Sequence, residues 1–251
     1  MTSPKKRLLA TFTTEYDTYS IVKEWYNGRP ARLLLSSGKV PQSGVAVDGE
    51  PEQLFDYCKR LAELAIGVRP EKSLFLGGGA FTLPTFAARF LGSHVTAVEI
   101  DSFLVESVKE HFDIAGEDEG LSIVIDDAAH YITYNPSKYD LIVVDVFKDR
   151  EIPEALINPA AILAYKKMIT NPEGVVAFNC ISRYHTISPA VVRVLVIHLK
   201  EAFSYVQVFP ADVHQDKRSS QNLIVVASDA DLDTPCQYMQ SYPVTVLGIE
   251  S

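Results

Sequence analysis

Ser73-Leu74-Phe75-Leu76-Gly77-Gly78-Gly79-Ala80, residues 73–80, is a short apolar strand that runs straight into three glycines. Nucleoside-binding α/β folds begin this way, because residues without a β-carbon let the backbone turn tightly and approach a bound ligand closely. The run is weak by itself and gains meaning from the elements spaced at matching intervals after it. Strands expected at residues 74–76, 95–99, 122–125 and 141–145 alternate with helices near 83–91 and 103–112. Such alternation predicts a mostly parallel sheet covered on both faces.

Upstream, residues 7–48 read as short strands punctuated by Asn27-Gly28, Ser37-Gly38 and Asp48-Gly49, a small antiparallel β unit. Leu54, Phe55, Cys58, Leu61, Ala62 and Ala65 fall at helical spacing, which predicts a helix over 51–66 with Gly67 as its stop. Downstream, Asn158-Pro159 offers a cap and a first-turn proline for a helix ending near residue 170, and a strand comes next at 175–178. Ser188-Pro189 repeats the device for a helix to residue 203, and strands at 205–209 and 223–227 flank a polar stretch as an antiparallel hairpin. Glu117-Asp118-Glu119 reads as a solvated turn, and residues 244–247 as an edge strand or a contact with a partner subunit. The expected organisation is a β unit over 1–50, a nucleoside-binding α/β domain over 51–230 and a C-terminal tail over 231–251.

With 251 residues the chain has the length and apolar content for one large α/β domain or a domain with an appendage. Its net charge of -9 argues against general nucleic-acid binding and favours a small cationic or polar substrate. Three cysteines, Cys58, Cys180 and Cys236, have neither metal-ligand spacing nor the pattern of a disulfide framework, and read as buried small hydrophobes in a reducing cytosol. The six histidines form no metal pattern, and His198 on an apolar helix reads as structural. No signal peptide or membrane span is evident, so the expected compartment is the cytoplasm.

If the first strand and its glycines hold a nucleoside, the end of the second strand should offer a carboxylate to the ribose diol. Glu99 stands there, 20 residues beyond Gly79, and neighbouring Asp101 reads as a helix cap. The third strand ends in Asp126-Asp127-Ala128, where Asp127 can accept a bond from an adenine amino group or simply begin a solvated loop. His130, three residues on, is a weaker ligand candidate. Asp145 closes the fourth strand at the carboxyl edge, where open α/β sheets place their ligands, and is the chief catalytic candidate: a base for an amine nucleophile. Tyr131, Tyr134, Tyr139 and Phe147 either wall the site or pack as ordinary aromatics.

Leu76-Gly77-Gly78-Gly79 followed by Val98-Glu99-Ile100-Asp101 resembles the catalytic domain of the spermidine synthase family of polyamine aminopropyltransferases. The resemblance spans the chain, with specific motifs in the middle. It implies an S-adenosylmethionine-dependent methyltransferase-like, Rossmann-like doubly wound sheet behind a small N-terminal β unit. It also implies that Gly77, Gly78 and Gly79 hold the donor's methionine-derived part, Glu99 the ribose and Asp127 the adenine, that Gln42, standing where a family glutamine follows a Leu-Asp-Gly turn, belongs to the donor-binding residues, and that Asp145 activates the acceptor amine. No metal is implied, and family members are commonly dimers or tetramers.

The departures are as specific. Ala80 stands where the resembling enzymes carry an aspartate that clamps the donor's ammonium, and Phe55-Asp56-Tyr57 replaces their polyamine-binding element. Asp145 leads into Val146-Phe147-Lys148-Asp149-Arg150-Glu151-Ile152-Pro153, a loop whose Lys148 and Arg150 either repel a polycation or face solvent and pair with Asp149 and Glu151. Aminopropyl transfer from decarboxylated S-adenosylmethionine to a small amine follows from the resemblance. Methyl transfer from S-adenosylmethionine follows from the altered residues, and a non-catalytic nucleoside-binding or assembly role follows from the missing clamp.

Overall fold

The computed structural model describes residues 6–37, 39–48, 53–148, 151–183, 190–215 and 219–239. Its N-terminal part is an antiparallel meander of four strands, β1 (Arg7–Thr13), β2 (Thr18–Tyr26), β3 (Arg29–Ser36) and β4 (Val40–Ala46). Asn27 and Gly28 join β2 to β3 with φ of 49° and 77°, the left-handed pair that a two-residue hairpin requires.

α1 (Asp56–Val68) leads into the alternating part: β5 (Lys72–Leu76), α2 (Thr82–Leu91), β6 (His94–Glu99), α3 (Ser102–Lys109), β7 (Leu121–Ile125), α4 (Ala128–Tyr134) and β8 (Leu141–Val144). Then come α5 (Pro159–Met168), β9 (Val175–Arg183), α6 (Ala190–Ala202), β10 (Tyr205–Pro210) and β11 (Ser220–Ser228). The sheet order is β10-β11-β9-β8-β5-β6-β7, with β9 to β7 parallel and β10 and β11 antiparallel, as the expected terminal hairpin requires. Strand order reverses between β5 and β8, which opens a crevice at their carboxyl ends.

Alternation along the buried strands divides the core. Phe75, Ala97, Val143, Ala177 and Ile224 face α1, α2 and α3, while Leu74, Leu76, Ile142, Val144 and Phe178 face α4, α5 and α6. Ile21, Leu33, Leu34 and Leu35 of the N-terminal sheet join the first of these cores, so apolar packing is continuous from the meander to the crevice.

The expectation for Gly67 is corrected. Gly67 lies inside α1, which ends at Val68 with Arg69 in the left-handed conformation; a Cβ at Gly67 would lie 2.1 Å from the Pro235 carbonyl oxygen, so close chain approach explains this glycine. Leu232, Cys236 and Met239 are buried in the same core, which ties the segment after β11 onto the domain. Glu117, Asp118 and Glu119 form an exposed turn, as expected, and the Glu119 carboxylate accepts from Arg89 Nε at 2.5 Å and from the Gly116 amide at 3.0 Å. Cys58, Cys180 and Cys236 are all buried thiols. Ser188-Pro189, His185 and residues 244–247 lie outside the described residues, and no described helix is long and apolar enough to cross a membrane.

Candidate active site

The glycine loop fits its surroundings at each of its three positions. The Gly77 amide donates to Val98 O at 2.9 Å, and a Cβ at Gly77, whose φ is 92°, would sit 2.3 Å from the Asp145 carbonyl oxygen. A Cβ at Gly78 would meet the Phe81 ring at 2.4 Å, while Gly79, with φ of 52°, lies against Ser43 of β4. Phe81 itself is fully buried in the left-handed region, with φ of 54°. Ala80 is buried too, so position 80 supplies no carboxylate to the crevice.

Glu99, at the end of β6, is tied to this loop through both oxygens. Oε2 accepts from the Gly78 amide at 2.8 Å and Oε1 from the Asp101 amide at 3.1 Å. Each carboxylate oxygen has a further lone pair, so the side chain can still accept from two adjacent hydroxyls without rearranging. Asp101 is the expected cap: Oδ1 accepts from the Leu104 amide at 2.9 Å, and Oδ2 accepts from Thr14 Oγ1 at 2.6 Å, which pins the first β-hairpin to the site.

Asp127 is a cap as well as an exposed acid. Its Oδ1 accepts from the Ala129 and His130 amides at 2.8 and 3.0 Å and starts α4, a helix that the apolar spacing does not predict. Oδ2 has no partner among the described residues and remains open to an amino group. His130 is turned to Asp126, whose oxygens lie 2.9 Å from Nδ1, and it packs on Tyr134. Tyr131 and Tyr139 share a buried 2.8 Å hydroxyl contact in the core, so these two aromatics hold α4 rather than wall a ligand.

Asp145 follows β8 at the switch point. The Asn179 amide donates Nδ2–H to its Oδ1 at 2.7 Å, and Asn179 Oδ1 accepts in turn from Asn222 Nδ2 at 2.8 Å. Burial pushes the Asp145 carboxyl up to about 6, with the Asn179 bond offsetting part of that rise. Tyr57 and Cys58 from α1 lie close enough to sense its charge, and burial raises both so that they stay neutral. Tyr57 donates its hydroxyl to the Gln42 carbonyl at 3.0 Å. Gln42 therefore touches the site through its backbone, while its side chain is exposed on β4.

The remaining parts of the substituted acceptor element point elsewhere. Phe55 is buried against Tyr26 and Tyr57, and Asp56 is exposed, 3.5 Å from Lys59. Lys148 is exposed and exchanges backbone hydrogen bonds with Glu151 at 2.8 and 3.0 Å; Asp149 and Arg150 lie outside the described residues. Sequence reasoning missed Asn179 and Asn222. A polar residue directly after the apolar run 175–178, on the strand beside Asp145, is the signal that points to Asn179; Asn222 carries none, because it closes a polar stretch in the sequence. No group of three or more His, Cys, Asp or Glu residues suited to a metal occurs among the described residues.

The Asp145 and Glu99 carboxylates and the glycine loop thus meet at the carboxyl ends of the parallel strands. Residues 56–222 match the family model described as the spermine/spermidine synthase domain. Polyamine aminopropyltransferase 2 of Hyperthermus butylicus is 30% identical over 232 residues, which cover 89% of this chain and 72% of that protein. The crystal structure of a probable spermidine synthase from Corynebacterium glutamicum superposes with a TM-score of 0.76 at 25% identity, over 88% of this chain and 80% of that one. Human methyltransferase-like protein 13 in complex with SAH shares the fold, with a TM-score of 0.57 at 23% identity over 76% of this chain and 87% of that one. By the extent of the family match and the coverage of its relatives, the chain belongs to the spermine/spermidine synthase family.

Proposed function

We propose that the chain is an aminopropyltransferase that moves the aminopropyl group of decarboxylated S-adenosylmethionine to a small-molecule amine. The observation that carries this reading is Asp145 itself, a carboxyl raised to about 6 by burial, beside the triple-glycine loop and in the same crevice as Glu99. Relatives named polyamine aminopropyltransferase support it and do not favour methyl transfer or a purely non-catalytic role.

In the proposed reaction the amine nitrogen attacks the carbon bonded to the sulfonium. The N–C bond forms, the C–S bond breaks, and its electron pair returns to sulfur, leaving methylthioadenosine. Asp145 takes the proton that the amine loses. A sulfonium is already a good leaving group, so the protein mainly aligns the nucleophile and supplies the base, contributions of about 10²–10⁴-fold for the proton step. Glu99 would hold the ribose diol, Asp127 Oδ2 the adenine amino group, and Gly77 to Gly79 the chain next to sulfur.

Calorimetry with decarboxylated S-adenosylmethionine, S-adenosylmethionine and methylthioadenosine tests the donor site, and Asp145→Asn tests the base. The reading expects binding of the decarboxylated donor and its thioether product, with turnover lost in Asp145→Asn and nucleoside affinity nearly intact. Binding of none of the three, or unchanged turnover in Asp145→Asn, would overturn it.

A further inference from the structure

We infer that Asn222 is a positioning residue: it locks the Asn179 amide in the one orientation that donates a hydrogen bond to Asp145. This rests on the reading of Asp145 as the base. An amide has a donor end and an acceptor end of almost the same shape, so only its partners decide which end faces which neighbour. Asn179 is 1% exposed, with Asp145 Oδ1 at 2.7 Å on one end and Asn222 Nδ2 at 2.8 Å on the other. If the amide turned over, its carbonyl would face a carboxylate and its NH2 would face the donor group of Asn222. The first contact would become repulsive, and the second would survive only if the Asn222 amide turned over with it.

The placement comes from the register of the sheet. Phe178 pairs with Val144, so Asn179 falls beside Asp145 just past the end of β8. On the antiparallel neighbour β11, Asn222 pairs with Ile181, two residues beyond Asn179 and on the same sheet face. The terminal hairpin, outside the parallel nucleoside-binding strands, thereby reaches the proposed proton acceptor. With the amide locked, one lone pair of Asp145 Oδ1 is taken, and Oδ2, with no bond among the described residues, is the oxygen left to meet the incoming amine. The bond from Asn179 favours the ionised carboxylate and counters the effect of burial. The titratable groups that sense Asp145 are Tyr57 and Cys58 on α1 and Cys180 on β9; all are raised by burial and remain neutral across the range in which the carboxyl titrates.

The test is Asn222→Leu, close in shape and unable to hydrogen bond, with Asn222→Ser, too short to reach, as a second variant should the first fold poorly. Two readouts are compared with wild type: the acidic limb of the pH profile of kcat/KM, and the titration of the Asp145 carboxyl by carbon-13 NMR, assigned with Asp145→Asn. Both are expected to move up by about one pH unit, with methylthioadenosine affinity held within about twofold. A limb and a titration that stay at the wild-type position while kcat falls would overturn the positioning role, as would a loss of nucleoside affinity without the shift. Should Asp145→Asn retain turnover, the base assignment fails separately, and the carboxyl titration in Asn222→Leu still decides the positioning role.

Discussion

Asp145→Asn is expected to make the folded chain more stable as well as inactive, and the gain should depend on pH. In the fold the carboxyl titrates at about 6, against 3.8 for a free aspartate, because the loss of solvent outweighs the Asn179 bond. Between those values the folded chain holds the proton more tightly than the unfolded chain does. Stability therefore falls as pH rises through that window, and above it the ionised side chain costs about 3 kcal/mol. Asparagine has no charge to desolvate and keeps a side-chain oxygen that can accept from Asn179 Nδ2. The variant should gain about 3 kcal/mol over wild type at pH 8 and about 1.5 kcal/mol at pH 5, read from urea unfolding midpoints at the two pH values. A gain that is equal at both would trace to packing rather than to the buried charge. No gain at pH 8 would refute the reasoning that burial sets the proton affinity of this group.

Glu99→Gln keeps the shape of the side chain but turns an NH2 toward one of the two backbone amides it now accepts from, at Gly78 or Asp101. Methylthioadenosine affinity should fall about tenfold to a hundredfold by calorimetry, and an unchanged affinity would remove Glu99 from the ribose site. Thr14→Val strips the partner from Asp101 Oδ2 in a residue that is 3% exposed, and should cost about 1–2 kcal/mol in denaturant unfolding while leaving the N-terminal strands paired.

Legibility in the sequence tracks the range of the interactions. Strands and helices whose apolar spacing is set locally are readable to within a few residues: β5, β6, β7 and α2 all fall where periodicity puts them. The glycine run, Glu99 and Asp145 are readable because an open α/β sheet places ligands at strand ends, a rule that needs only strand order. α4 is not, since its seven residues are too few for a helical repeat and include Ile132 and Thr133, β-branched residues that weaken the helical signal. Its one local sign is Asp127, whose carboxylate suits a ligand's amino group as readily as the two amides it caps. Gly67 misleads for a related reason: it resembles a helix stop, but the Pro235 carbonyl that requires it lies far along the chain. Asn222 shows the same limit at the site, because its significance arises only when β11 pairs with β9.

Gly78 and Phe81 bear on how this loop can change over generations. The ring of Phe81 fills the space a Gly78 side chain would need, while Phe81 itself holds a backbone conformation that favours glycine. Neither position can be explored freely with the other fixed. A larger residue at 78 requires the ring at 81 to shrink first, and a smaller residue at 81 opens a hole beneath the loop until 78 fills it. Either path runs through an intermediate chain that is worse than both its ancestor and its descendant. Such a pair holds the loop in place whichever side chain stands at position 80.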